Sequence, residues 1–176
     1  MDRRAFLETI SLPAISLLPL RQNWIRGSVD RKVVIAIDTT GPNPADGYRI
    51  VEIAAVEIVG QRISGVSFRL YLNPDRNSDA NAPLVHELTE FIGNSILIFH
   101  GAPHYLEFLK QEFSFAGHEF APARAVIDTF ELAREKQFSH AFLENLFAPI
   151  GIEPDNDTLA FTEAIWVARL YLATTA

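Results

Sequence analysis

Residues 33–41 read VVIAIDTTG: an apolar run climbs to one carboxylate, Asp38, and breaks at Thr39-Thr40-Gly41. A buried strand that ends in an acid and a tight turn can hold a metal ligand at the rim of a sheet. The chain has no cysteine, so thiolate sites are excluded and any metal must sit on oxygen or imidazole. Such donors suit hard divalent ions such as Mg or Mn. One acid is too few for that chemistry, so its partners must come from elsewhere. His86, His118 and His140 are scattered and show no metal-ligand spacing.

The elements that would position Asp38 follow from pattern. With 176 residues and 48% apolar composition, the chain can form one domain with a full core. VVIAID is a buried strand. IVEIAAVEIV (50–59) is β-branched and alternating, with Glu52 and Glu57 as its acids. Gly60-Gln61-Arg62 turns it, and VSFRLYL (66–72) alternates as a third strand. These three read as an antiparallel meander. LVHELTEFI (84–92) has helical spacing. SILIFH (95–100) is a short strand, and Pro103 opens a helix over PHYLEFLKQEFSF. RAVID (124–128) runs into the helix TFELAREK, with Asp128 as its cap. SHAFLENLFAPI and LAFTEAIWVARLYLA are further helices, the second capped from Asp157-Thr158. The order predicts an α/β fold, a mixed sheet flanked by helices. The phenylalanines from Phe108 to Phe147 recur at helical spacing and are expected in the core.

The net charge of -7 argues against a nucleic-acid binder working through a broad basic surface. It allows a site where cations bridge carboxylates to phosphate. No apolar run reaches the length of about 18 residues that a membrane span needs. The first residues, MDRRAFLETISLPAISLLPL, carry Arg3-Arg4 and an apolar stretch, which resembles a twin-arginine export signal. Pro13 and Pro19 interrupt that stretch and no Ala-x-Ala follows, so a short amphipathic helix is the other reading. Residues 21–32 are polar and read as a linker. The expected division is an arm and linker over 1–31 and a domain over 32–176.

Taken together, IDTTG, IVEIAAVEI, FRLYLNPDR, ILIFHGAP, VIDTFELAR and EAIWVARLYLA resemble the DEDDh family of 3'-5' exonucleases, the proofreading, epsilon-subunit-like branch of the ribonuclease-H-like fold. The likeness covers about residues 32–174, with shortened connections before LVHELTEFI and near Phe138-Ser139. It implies a ribonuclease-H-like five-stranded sheet, the three-stranded meander plus parallel strands. It also implies a chemistry: two divalent ions about 4 Å apart clamp a phosphate between four carboxylates, with a histidine as general base.

Residue by residue, that pattern lands on unusual side chains. The family's D-T-E-T-T-G falls on Ala36-Ile37-Asp38-Thr39-Thr40-Gly41, so the first acid is Ala36 and the second is a shortened Asp38. The third acid falls on Tyr105, the histidine on Thr158 and the last acid on Glu163. Thr158 cannot act as a base near neutral pH. The resemblance therefore implies a degenerate exonuclease fold that acts in binding or scaffolding, with a polymerase, another protein or a nucleic-acid 3' end as partner and no cofactor. Tyr105, Thr39, Thr40 and Thr158 would be its binding residues, and the protein would be cytoplasmic. The alternative is an atypical metal-dependent 3'-5' exonuclease or phosphodiesterase. In it Asp38, Glu163 and a borrowed acid, Glu52 or Glu107, hold Mg or Mn weakly and His104 is the base.

Each candidate also has a plain structural reading. Asp38 can bond the backbone of its own turn. Glu163 can be a hydrogen-bonded helix acid. His104 can be a surface group in a first helical turn. Glu52 can pair with Arg49 or Arg69, and His100 can be a satisfied strand-end histidine. Tyr105 can stack on a base or plug the cleft.

Overall fold

The computed structural model describes residues 30–77, 81–138 and 159–175. The N-terminal arm with Arg3-Arg4, the helix expected at SHAFLENLFAPI, His140 and Thr158 lie outside the described residues.

Five strands form one sheet: β1 (Arg31–Thr39), β2 (Ile50–Val59), β3 (Arg62–Tyr71), β4 (Ile96–Phe99) and β5 (Val126–Asp128). Their spatial order is β3-β2-β1-β4-β5. β1 pairs antiparallel with β2, and β2 with β3, while β4 pairs parallel with both β1 and β5. This is the expected meander joined to parallel strands. β3 starts at Arg62, earlier than its alternating stretch suggests, because Gly60 adopts a positive φ of 60° and the chain reverses there at once. β1 starts at Arg31, within the stretch expected to be linker. The Arg31 side chain is buried, ion-paired with Glu57 and bonded to the carbonyls of Phe91 and Ile92, so that end of the strand is anchored.

Four described α-helices flank the sheet: α1 (Ala82–Ile92), α2 (Ala102–Phe115), α3 (Thr129–Glu135) and α4 (Leu159–Thr175). Alternation along β1 serves two cores. Val33, Ile35 and Ile37 pack with Leu84, Leu88, Phe108 and Leu109 of α1 and α2. Val34 and Ala36 pack with Ala54 and Val56 of β2 and with Ala160, Ala164, Val167 and Ala168 of α4. The small side chains on both partners let α4 lie close to the sheet. Ala36 is fully buried there, so the position where the resemblance sets a first acid is a packing alanine against α4. Phe108, Phe113 and Phe120 are core residues as expected. Phe115 and Phe130 are not: they are 42% and 54% exposed, because each sits at an end of its helix.

Candidate functional site

The carboxyl end of β1 faces α4 across a cavity of about 450 Å³. Its polar lining comes from Asp38, His100 and Glu163, and its apolar lining includes Ile37, Trp166, Val167 and Leu170. The sheet and the last helix thus bring together Asp38 and Glu163, the two acids that the sequence pairs only through its likeness to a family.

Asp38 is half-buried at the strand end. Its Oδ1 accepts from Thr39 N at 2.9 Å, so the acid does bond its own turn. The turn threonines are engaged too. Thr39 Oγ1 donates to Gly41 O at 2.9 Å, and Thr40 Oγ1 accepts from Arg49 N at 3.0 Å. Glu163 accepts from the Tyr105 hydroxyl at 2.8 Å, across 58 positions of sequence. Burial pushes the Glu163 carboxyl above its ordinary value; the Tyr105 hydrogen bond opposes that shift and the Asp38 charge adds to it. Burial, with the Glu163 and Asp38 charges, pushes the Tyr105 phenol far up, so it stays a donor.

His100 follows β4 and lines the same cavity. The Thr129 hydroxyl donates to Phe99 O at 3.1 Å and lies 3.0 Å from His100 Nδ1. With its one hydrogen committed, that hydroxyl accepts from Nδ1–H, which leaves the lone pair on Nε2. Burial lowers the imidazole's affinity for a second proton, against a smaller pull from Asp128. His100 is therefore both a satisfied strand-end histidine and part of the lining.

The remaining candidates lie elsewhere. Glu52 sits opposite Asp38 in the β1–β2 register, but it is 4% exposed and ion-paired with Arg69 at 2.8 Å. Its other oxygen faces Ala160 N at 3.4 Å, at the start of α4. His104 is exposed, with its ring edge-on to Phe108 at 5.2 Å, and Glu107 is exposed beside it on α2. Neither lines the cavity. Asp128 caps α3 through Phe130 N at 2.9 Å. It also accepts from Gly101 N and Ala102 N at 2.8 and 2.9 Å, which ties the start of α2, and so Tyr105, to β5. Among the described residues, no three of the acids and histidines converge so as to hold a metal ion.

Two features escaped the sequence. Trp166 forms part of the cavity wall. Glu112, fully buried on α2, receives Arg49 Nε and Nη2 at 2.9 and 2.8 Å, Ile50 N at 3.1 Å and Asn81 Nδ2 at 2.9 Å, and ion-pairs with Arg76. Since Arg49 also bonds Thr40 through its backbone, this network fixes the loop that follows Asp38. The only available signal was an acid in step with Phe108 and Leu109 on a core-facing helix.

With this geometry in place, comparison with known proteins decides the lineage. No protein-family model matches the chain. DNA polymerase III subunit epsilon of Escherichia coli (strain K12) is 30% identical over 177 residues, covering 84% of this chain and 72% of that protein. The chain belongs to the DEDDh-type 3'-5' exonuclease family. The Rickettsia felis epsilon subunit is 34% identical over 125 residues, and there the alignment spans 55% of the relative's length. Among solved structures, the nuclease domain of 3'hExo, a DEDDh family member bound to rAMP, superposes with a TM-score of 0.59 at 12% identity, covering 83% of this chain and 92% of that one. Cell-death related nuclease 4 gives 0.61 at 12% identity, covering 83% and 64%. These likenesses establish the ribonuclease-H-like exonuclease fold. On the expected alignment with the family's pattern, Ala36 and Tyr105 fall where acids are set. The described residues therefore fit a pair of divalent ions poorly.

Proposed function

We propose that the chain is an exonuclease-fold protein that binds and scaffolds without two-metal hydrolysis, with residues 32–176 as the working unit. One observation carries this reading: Tyr105, which the resemblance sets at the third acid's position, hydrogen-bonds Glu163. That acid therefore has a neutral partner in place of a cation. Ala36, packed beneath α4, offers no ligand on the other side. The two acids of the described lining, Asp38 and Glu163, supply too little negative charge to seat two close dications, which repel each other strongly. The name shared by the relatives, DNA polymerase III subunit epsilon, supports a polymerase as partner, with a nucleic-acid 3' end as its natural companion. Among the described residues no helix is long and apolar enough to cross a membrane. A cytoplasmic location accompanies this reading, and fractionation of cells carrying Arg3→Lys with Arg4→Lys tests the export alternative.

The assay is release of the terminal nucleotide from a 3'-labelled strand in Mg and in Mn. The full chain is expected to release no more than its Asp38→Ala variant. Metal-dependent release that disappears in Asp38→Ala would overturn the reading. It would favour instead a single-metal enzyme in which Asp38 and Glu163, which share one cavity, hold Mg or Mn. In that case His100 is better placed than His104 to take a proton, because it lines the cavity and its Nε2 carries the lone pair.

A further inference from the structure

Among the described residues, the lining of the cavity between β1 and α4 suits neither a pair of metal ions nor a phosphate. Its volume, about 450 Å³, suits a small molecule. Ile37, Val167, Leu170 and the Trp166 ring make most of its wall apolar. Among the described residues no lysine or arginine lines it, so nothing in the described wall would neutralise a phosphate. Apart from the Trp166 indole N–H, a donor, the polar side chains of the described lining are acceptors or can be: the Asp38 and Glu163 carboxyls and His100, whose Nδ1–H is spent on Thr129. These three do not converge on a metal ion. Metal–oxygen bonds run near 2.1 Å, whereas hydrogen bonds from an organic cation run near 2.8 Å and tolerate acceptors set further apart.

We propose that this cavity is a binding site for a small organic cation, an alkylammonium with an apolar body. Its head is held by Asp38, Glu163 and His100, and its body lies against Trp166 and Val167. The inference rests on the reading of a protein without paired metals, since two bound dications would occupy the same acids. An ammonium group offers three donors and one positive charge, which matches the acceptor count and relieves the repulsion between the carboxylates. The aromatic wall adds a cation-binding surface of the kind used for amines elsewhere.

Phenethylammonium is the probe, titrated into the full chain carrying Trp24→Phe so that Trp166 alone reports. Saturable fluorescence change is expected, with phenethyl alcohol binding at least about tenfold more weakly. Glu163→Gln keeps an acceptor for Tyr105 and Asp38→Asn keeps one for Thr39 N; each is expected to weaken the amine by about tenfold or more, with melting checked by circular dichroism. Equal binding of amine and alcohol, unchanged affinity in both folded variants, or no saturation up to about 10 mM overturns the proposal. So does displacement of the amine by thymidine monophosphate with Mn. Loss of amine binding without any Mn-dependent nucleotide release sinks this inference and leaves the non-hydrolytic reading standing. Mn-dependent release that needs Asp38 sinks both.

Discussion

Replacing Tyr105 with phenylalanine isolates the contact on which the functional reading turns. Tyr105→Phe keeps the ring, so no cavity is opened beside Phe99, whose ring centroid lies 6.3 Å away. It removes only the hydroxyl that donates to Glu163 at 2.8 Å. A hydrogen bond to a charged acceptor contributes about 1.5–3 kcal/mol, and partial exposure of both side chains places this one near the lower end, about 1.5 kcal/mol. At this chain length that is a fall in Tm of roughly 3–6 °C. The pH dependence gives the sign. Burial raises the folded-state Glu163 carboxyl above its ordinary value. Its favourable contribution is therefore complete below that ordinary value and is lost as pH rises through the raised one. The Tyr105 hydrogen bond opposes the raise, so deleting it raises the carboxyl further and steepens the loss. The gap between parent and variant must widen as pH rises from the ordinary carboxyl range upward. Thermal melts from about pH 4 to about pH 8, with NMR titration of the Glu163 side chain, read it directly. A gap that is constant with pH, or that closes as pH rises, refutes the idea that the phenol stabilises an ionised Glu163.

Asp38→Asn removes a charge that pushes Glu163 upward while its amide oxygen still accepts from Thr39 N; the Glu163 carboxyl should fall toward its ordinary value in NMR titration, with stability near neutral pH unchanged or higher. Glu112→Gln leaves two guanidinium groups facing an uncharged partner and is expected to cost about 3–5 kcal/mol in denaturant unfolding. Burial would raise the Glu112 carboxyl, but Arg49, the Ile50 amide and the Arg76 charge outweigh it and hold it low; its contribution is therefore complete above the ordinary carboxyl value and lost as pH falls through the lowered one. The Glu112→Gln penalty should shrink in acid accordingly. Asp128→Ala strands three backbone amides at the starts of α2 and α3 and should lower stability by about 2 kcal/mol or more, read by urea melts. Restoring carboxylates with Ala36→Asp, Asp38→Glu and Tyr105→Asp should give a chain whose Tm rises in about 5 mM Mn, while the parent's Tm does not move.

The elements were largely readable because their signals are local. VVIAID, β-branched and bounded by Thr-Thr-Gly, reads as a buried strand, and Gly60-Gln61-Arg62 reads as the turn after β2. The site was legible in part. The sequence placed Asp38 at a strand end and, through family likeness, Glu163 on the last helix. What it did not contain was any sign of which side chains meet across the fold. The Tyr105–Glu163 bond joins residues 58 apart, and Arg49–Glu112 joins residues 63 apart. An acid on an amphipathic helix reads as surface until a guanidinium arrives from another element. The exposed Phe115 shows the converse: helical spacing marked it as core, whereas its ring lies under the Arg49 guanidinium at 4.7 Å.

On the proposed reading, the residues that fall at the family's acid positions make physical sense as a set. Four carboxylates around one cavity repel one another and are stable only when cations sit among them. Ala36, at the first of those positions, carries no charge and packs with Ala160, Ala164 and Ala168 of α4. Tyr105, at the third, supplies a neutral donor to Glu163. With either side chain the cleft carries less negative charge than four carboxylates would, and a pair of metal ions would be held less well. Asp38 and Glu163 persist as a pair of acids in a largely apolar wall, where burial and mutual repulsion still oppose ionisation of Glu163. A fold kept for packing alone would gain from losing that pair. The proposed ligand of opposite charge would offset that cost, which makes Asp38→Asn the informative variant: it should leave the ligand-free protein unchanged or more stable near neutral pH and weaken ligand binding.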